Sequence, residues 1–151
     1  VTHSEHHRPD GTDDATVAAV GKLTEALETV ERARGHLYSF HQLTGSADFD
    51  LGDAAELLEK AGHHRAADRV RAELVGRNVL EGRWTFQVVE EYDDGYYGVV
   101  KAAERDIRNE LVAGRRHVYE AELKEARRTH GRPGHEATPH QAVSNEATPR
   151  E

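Results

Sequence analysis

His41, Glu91, Asp94, His117 and Glu120 are the side chains in this sequence whose types and placement could hold a divalent metal. Neutral imidazole nitrogen combined with hard carboxylate oxygen suits Fe, Mn or Zn, and helical bundles build such sites from facing helices. His117 and Glu120 are three apart, which puts them on one face of a helix, and Glu110 lies seven earlier on the same side. Tyr38, Tyr92 and Tyr119 are near enough in sequence to hydrogen-bond such ligands from outside. Against this reading, no Glu-x-x-His occurs anywhere in the chain, whereas di-metal carboxylate bundles carry that pair on two helices. His36 and His41, five apart, point too far from each other to share an ion. Arg34 falls on the same apolar stripe as His41, and a buried guanidinium must be paired. Glu90, Glu91 or Asp94 would be its natural partner, and that pairing takes the carboxylates a metal would need.

These groups flank the stretch Gly82 to Gly98, which holds the only tryptophan and five of the nine aromatic residues. Trp84, Tyr92 and Tyr38 are candidates for lining a small-ligand pocket. The stretch reads two ways. Trp84, Val88, Glu91 and Tyr92 fit helical spacing, while the β-formers around Asp94-Gly95 fit a hairpin over 84–97. Helix is the expectation, because the flanking segments are helical and a lone two-stranded ribbon is marginal.

The elements that must position these residues are helices. A first helix is expected to start at Asp13 or Asp14, as a cap, and to run along Val20, Leu23, Leu27, Val30 and Leu37 to Leu43, about 45 Å. Gly45 is its expected stop, followed by a loop from Thr44 to Asp50. A second helix follows, capped by Asp50 or Asp53 and interrupted at Gly62-His63-His64, with both histidines on the surface. After a connection over 76–82 and the aromatic stretch, one helix is expected from Val99 to Arg128. Residues 1–12 and 130–151 are polar and read as disordered tails around a helical domain of residues 13–129.

Composition narrows the function classes. Leu, Ile, Val and Phe number 29 of 151 residues, and all but Val1 and Val143 fall between Val17 and Leu123. The core is therefore lean. There is no cysteine, which excludes thiolate nucleophiles, disulfides and Cys-ligated metals. A net charge of −8 opposes nucleic-acid binding. No apolar run approaches membrane-spanning length, so no membrane partner is expected and a cytoplasmic location is the default. No phosphate-binding glycine loop is present, and none of the four serines has nucleophile context.

The expected fold is all-α: an elongated bundle of three or four helices with disordered ends, the alternative being α+β with the 84–97 hairpin. The expected function is a non-catalytic interaction or scaffold domain forming a homodimer, since long helices with narrow apolar stripes leave surface to share. The alternatives are the metal-binding bundle and the small-ligand binder around Trp84.

Overall fold

The computed structural model describes residues 4–139, and every regular element among them is helical. These are α1 (Asp14–Lys60), α2 (His64–Glu73), α3 (Thr85–Tyr92), α4 (Gly98–Val112) and α5 (Val118–Arg127). A short 3₁₀ turn (Ser4–His6) precedes them, and a π-helical turn (Asp93–Tyr97) joins α3 to α4. The helical reading of the aromatic stretch holds. An isolated bridge between Leu80 and Arg83 is the nearest approach to strand pairing, and the 84–97 hairpin does not form.

The first correction concerns α1, which runs 47 residues without a break. There is no loop at 44–50 and no cap at Asp50 or Asp53. The reason lies in the spacing. Positions 20, 23, 27, 30, 34, 37, 41, 44, 48, 51, 55 and 58 alternate in steps of three and four, and each is buried or half-buried. This heptad seam passes straight through Thr44, Asp48 and Leu51, so one continuous helix keeps all of them on one side. Gly45 permits a stop but does not compel one. A helical glycine costs only about 1 kcal/mol relative to alanine, which the seam's packing offsets. The actual stop is Gly62, at φ +86°. There the amide of His63 bonds the carbonyl of Leu58 at 2.9 Å and closes the last turn.

The second correction concerns the long C-terminal helix, which ends at Val112 and restarts at Val118. Ala113, Gly114 and His117 all have positive φ. The Gly114 amide bonds back to the Arg108 carbonyl at 3.0 Å, a reversal that terminates a helix. Gly114 stands at φ +71°, a conformation that L side chains rarely adopt, so glycine suits this position.

The chain forms two compact units. Unit 1 combines Val1–Glu25 with Glu104–Glu151, and unit 2 is Ala26–Ala103. In unit 1, Val17, Val20, Val112 and Val118 are buried together with Glu104, which is 4% exposed. Its carboxylate accepts from Arg108 Nε at 2.9 Å and from the Thr24 hydroxyl at 3.2 Å, while Arg108 also donates to the Gly114 carbonyl at 2.6 Å. Thus one buried ion pair, Glu104–Arg108, ties α1, α4 and the turn after α4 together. The segment before α1, read from the sequence as a tail, contributes Arg8. Its guanidinium donates to both Glu122 oxygens at 2.7 and 2.9 Å and to Asp14 at 2.7 Å.

In unit 2 the buried set is smaller still: Ala55, Ala67, Val89 and Thr85. Ala55 on α1 and Ala67 on α2 have almost no exposed surface.

Removing one partner of the buried unit 1 pair strands the other charge. Glu104→Ala or Arg108→Ala should each destabilise the protein by about 3 kcal/mol, read as a lower urea midpoint. The double variant should lose much less than the sum. Additive losses would show that the two side chains do not act as a pair.

Candidate functional site

The polar positions of the α1 seam organise unit 2. Arg34 forms a bidentate pair with Asp93, at 2.7 and 2.9 Å, and the two side chains are 30% and 29% exposed. The guanidinium also lies 5.6 Å from the Tyr38 ring centre and 5.2 Å from that of Tyr97, within cation–π range of both. Tyr97 stacks on Tyr92 at 6.3 Å, takes Lys101 over its ring at 5.2 Å, and donates its hydroxyl proton to the Glu31 carboxylate at 2.8 Å. Seven residues after Arg34, His41 places Nδ1 2.7 Å from the hydroxyl of buried Thr85, the first residue of α3. That hydroxyl lies 3.5 Å from the His41 carbonyl. Seven residues further, Asp48 accepts the Gly76 amide at 2.7 Å. Arg34, His41 and Asp48 therefore recur at one heptad position, and each is satisfied by a different segment of unit 2.

The face that α3 presents sets the partner of Arg34. The sequence reading assigned it Glu90, Glu91 or Asp94, and the structure uses Asp93. Asp93, itself in regular helical conformation, continues the i, i+4 row of buried Thr85 and Val89, and the kink of the π-helical turn comes after it, at Gly95 with non-helical φ −99°, ψ −108°. Gly98 closes the turn by donating to the Asp93 carbonyl, which a Cβ there would approach to 2.9 Å.

The candidate metal residues fall in both units. His41, Glu91 and Asp94 belong to unit 2, and His117 and Glu120 to unit 1. Within unit 2 the first three do not converge: among its described residues, no three ligating atoms lie within 4.8 Å of one another. Glu91 is engaged by Arg83 Nε at 2.6 Å, and His41 by Thr85. In unit 1, His117 is not on a helical face at all. It occupies the cap position of α5 with left-handed φ 58°, and its Nδ1 is 4.0 Å from Glu120, beyond hydrogen-bond reach. Its ring lies 6.2 Å from that of His6, whose Nδ1 donates to the Arg116 carbonyl at 2.7 Å. These side chains border a recess of about 820 Å³ that also includes Glu122 and Glu125. Both of those carboxylates are held below their ordinary value by hydrogen bonds, from Arg8 and Arg128 respectively.

The candidate pocket aromatics are also occupied. Trp84 donates its indole N–H to the Gly76 carbonyl at 3.2 Å, and its own amide is capped by Gln87 at 2.8 Å. Tyr92 packs on Tyr96 and Tyr97, and Tyr38 lies edge-on to His41 at 5.8 Å. The contacts that the sequence reading missed are Asp93, Asp48, Arg8 and the Glu104–Arg108 pair. Only the last had a local signal, a Glu four residues before an Arg.

Unit 2 also leaves much apolar surface exposed. Of the seventeen exposed large hydrophobic residues among those described, thirteen belong to this unit, including Phe40, Leu43, Phe49 and Leu57 of α1. Leu43 is 70% exposed and Leu57 66%. No helix among the described residues is long and apolar enough to cross a membrane. No family model matches the chain, and no curated protein or solved structure shows detectable similarity to it.

The Asp93 carboxyl is held below its ordinary value, chiefly by the hydrogen bonds from Arg34. A carboxyl depressed on folding contributes stability that is complete above its unfolded value, near pH 4 for Asp, and is lost as pH falls through the folded value. Asp93→Asn should therefore lower the melting temperature at pH 7, and the gap from the parent protein should shrink steadily below pH 4. A gap that is constant from pH 7 to pH 2 would show that the ionised pair contributes nothing.

Proposed function

We propose that this chain is a non-catalytic helical interaction protein that works as a homodimer, with unit 2 supplying the contact surface. The observation that carries the reading is the outward side of α1. Phe40, Leu43 and Leu57 are exposed along one face of this helix, Leu43 and Leu57 by more than 60%, in a unit whose fully buried residues are few and small. Single exposed apolar residues are ordinary on a protein surface, but a cluster along one helix marks an interaction site. The chemistry-bearing side chains of the same unit favour a structural role. Arg34, His41, Asp48, Glu91 and Asp93 are each satisfied by a neighbouring residue of that unit.

Burying one leucine contributes about 1.5–3 kcal/mol, and a twofold interface counts each residue twice. The parent protein should sediment as a dimer, with twice the 16.8 kDa chain mass. Its melting temperature should rise with concentration. Replacing Leu43 and Leu57 together by lysine should weaken association by at least about a hundredfold while leaving the helical circular dichroism intact. A parent protein that stays monomeric up to the highest soluble concentration would end this reading.

A further inference from the structure

We infer that the partner is a second copy of this chain docked antiparallel, α1 against α1, about a twofold axis that passes beside Leu43; the inference rests on the homodimer reading above. The evidence begins with a second seam. Positions 33, 36, 40, 43, 47, 50, 54 and 57 also alternate in steps of three and four. Each precedes a position of the buried seam by one, so this row lies about 100° around α1 from it. The row reads Ala33, His36, Phe40, Leu43, Ala47, Asp50, Ala54 and Leu57. All are exposed except Ala54, which is half-buried. Alanine at three of the four positions in one of its two heptad rows leaves holes into which Leu43 and Leu57 of a facing helix can insert as knobs. Nothing among the described residues covers this row, although its spacing is that of a helix that has a partner.

Charge chooses the direction and register. Arg32 and Asp53 border the seam, His36 and Asp50 lie within it, and among the described residues no hydrogen bond or ion pair engages the side chain of any of the four. In a parallel, in-register pair each would face its own kind across the twofold axis, Asp50 against Asp50 and His36 against His36, which is unfavourable for the acids. In an antiparallel pair centred on position 43, Arg32 meets Asp53 of the second copy and His36 meets Asp50. The same register sets Ala33 against Ala54 and Phe40 against Ala47. Sliding one helix by a heptad sets Arg32 against Lys60 in one direction and against uncharged Ser46 in the other. Of these arrangements, the centred register is the one that pairs the charges and sets Phe40 against Ala47.

The absence of cysteine makes the test clean, because single-cysteine variants of the full chain have one reactive thiol. With a short bis-maleimide, Leu43→Cys should cross-link to a covalent dimer. Leu57→Cys should not, since its two thiols would lie about 42 Å apart in the dimer. A mixture of Ala33→Cys and Ala54→Cys chains should yield the mixed dimer, and neither variant alone should. Arg32→Asp should weaken dimerisation by roughly tenfold, as should Asp53→Arg, and combining them should restore it. Efficient self-cross-linking of Leu57→Cys would establish a parallel pair and overturn the register. A protein that is dimeric by sedimentation but cross-links at none of these sites would place the interface elsewhere and also overturn it. A monomeric parent protein would instead remove the homodimer reading on which the inference stands.

Discussion

The bidentate contact between Arg34 and Asp93 is the interaction on which unit 2 depends. Few residues of this unit are fully buried, and they are small, Ala55, Ala67 and Val89 with Thr85, so apolar burial specifies which segments face α1 only loosely. A guanidinium on the seam changes that. It cannot be left half-buried without a carboxylate, and its planar fork accepts one geometry best. Meeting that demand brings Asp93 to α1, and with it the π-helical turn that carries Tyr97 over the guanidinium. Tyr97 then reaches Glu31, one helical turn before Arg34, so the clamp is closed from both sides of the arginine. His41 with Thr85 and Asp48 with Gly76 repeat the same logic at successive heptads. Polar groups at seam positions are known to set register at a cost in stability, and here three in succession fix where the turn after α3, the start of α3 and the loop after α2 attach.

The seam itself was legible in the sequence. The spacing of Val20, Leu23, Leu27, Val30 and Leu37 projects forward to Arg34 and His41, and the structure places both on the half-buried side. The need of Arg34 for a carboxylate was equally readable, because it follows from desolvation alone. What could not be read was which acid answers. Four lie within five residues, and the choice turns on which face of α3 is packed: Asp93 continues the row of buried Thr85 and Val89, whereas the spacing of Trp84 and Val88 points to a different face. Helix ends failed for a related reason. Gly45 and Gly114 look alike in sequence, each a glycine within helical spacing. At Gly45 the seam continues at Asp48 and Leu51, so the helix continues. At Gly114 the backbone turns back on itself, with its amide bonded to the Arg108 carbonyl and its carbonyl held by the Arg108 guanidinium. That difference is tertiary.

The metal reading shows how a constellation assembled from residue types depends on backbone that the sequence does not display. The i, i+3 argument for His117 and Glu120 assumes that residue 117 is helical. With His117 in a left-handed conformation that argument has no helix to act on, and it is the cap geometry that leaves its Nδ1 4.0 Å from Glu120, a spacing that two ligands of one ion can have. The Arg8–Glu122 pair carries the same lesson in reverse. Its members are 114 residues apart, so nothing local marks them, yet the contact builds the polar N-terminal segment into unit 1.

The two rows on α1 divide its work by chemistry. The covered row carries arginine, histidine and aspartate among its leucines and valines, which suits contacts that must be made once, in one register, with specified segments of the same chain. The uncovered row carries alanine, phenylalanine and leucine, with charge at His36 and Asp50 and on the border at Arg32 and Asp53. Apolar contact is directionless and would by itself allow two copies to pair in several registers. Separated opposite charges add the missing direction, because complementarity discriminates between arrangements more than it adds affinity. A helix of 47 residues in a chain with so few large apolar residues gains from this division: one flank positions the helix within its own chain by polar demand, and the other, uncovered among the described residues, is the flank on which the proposed dimer would form.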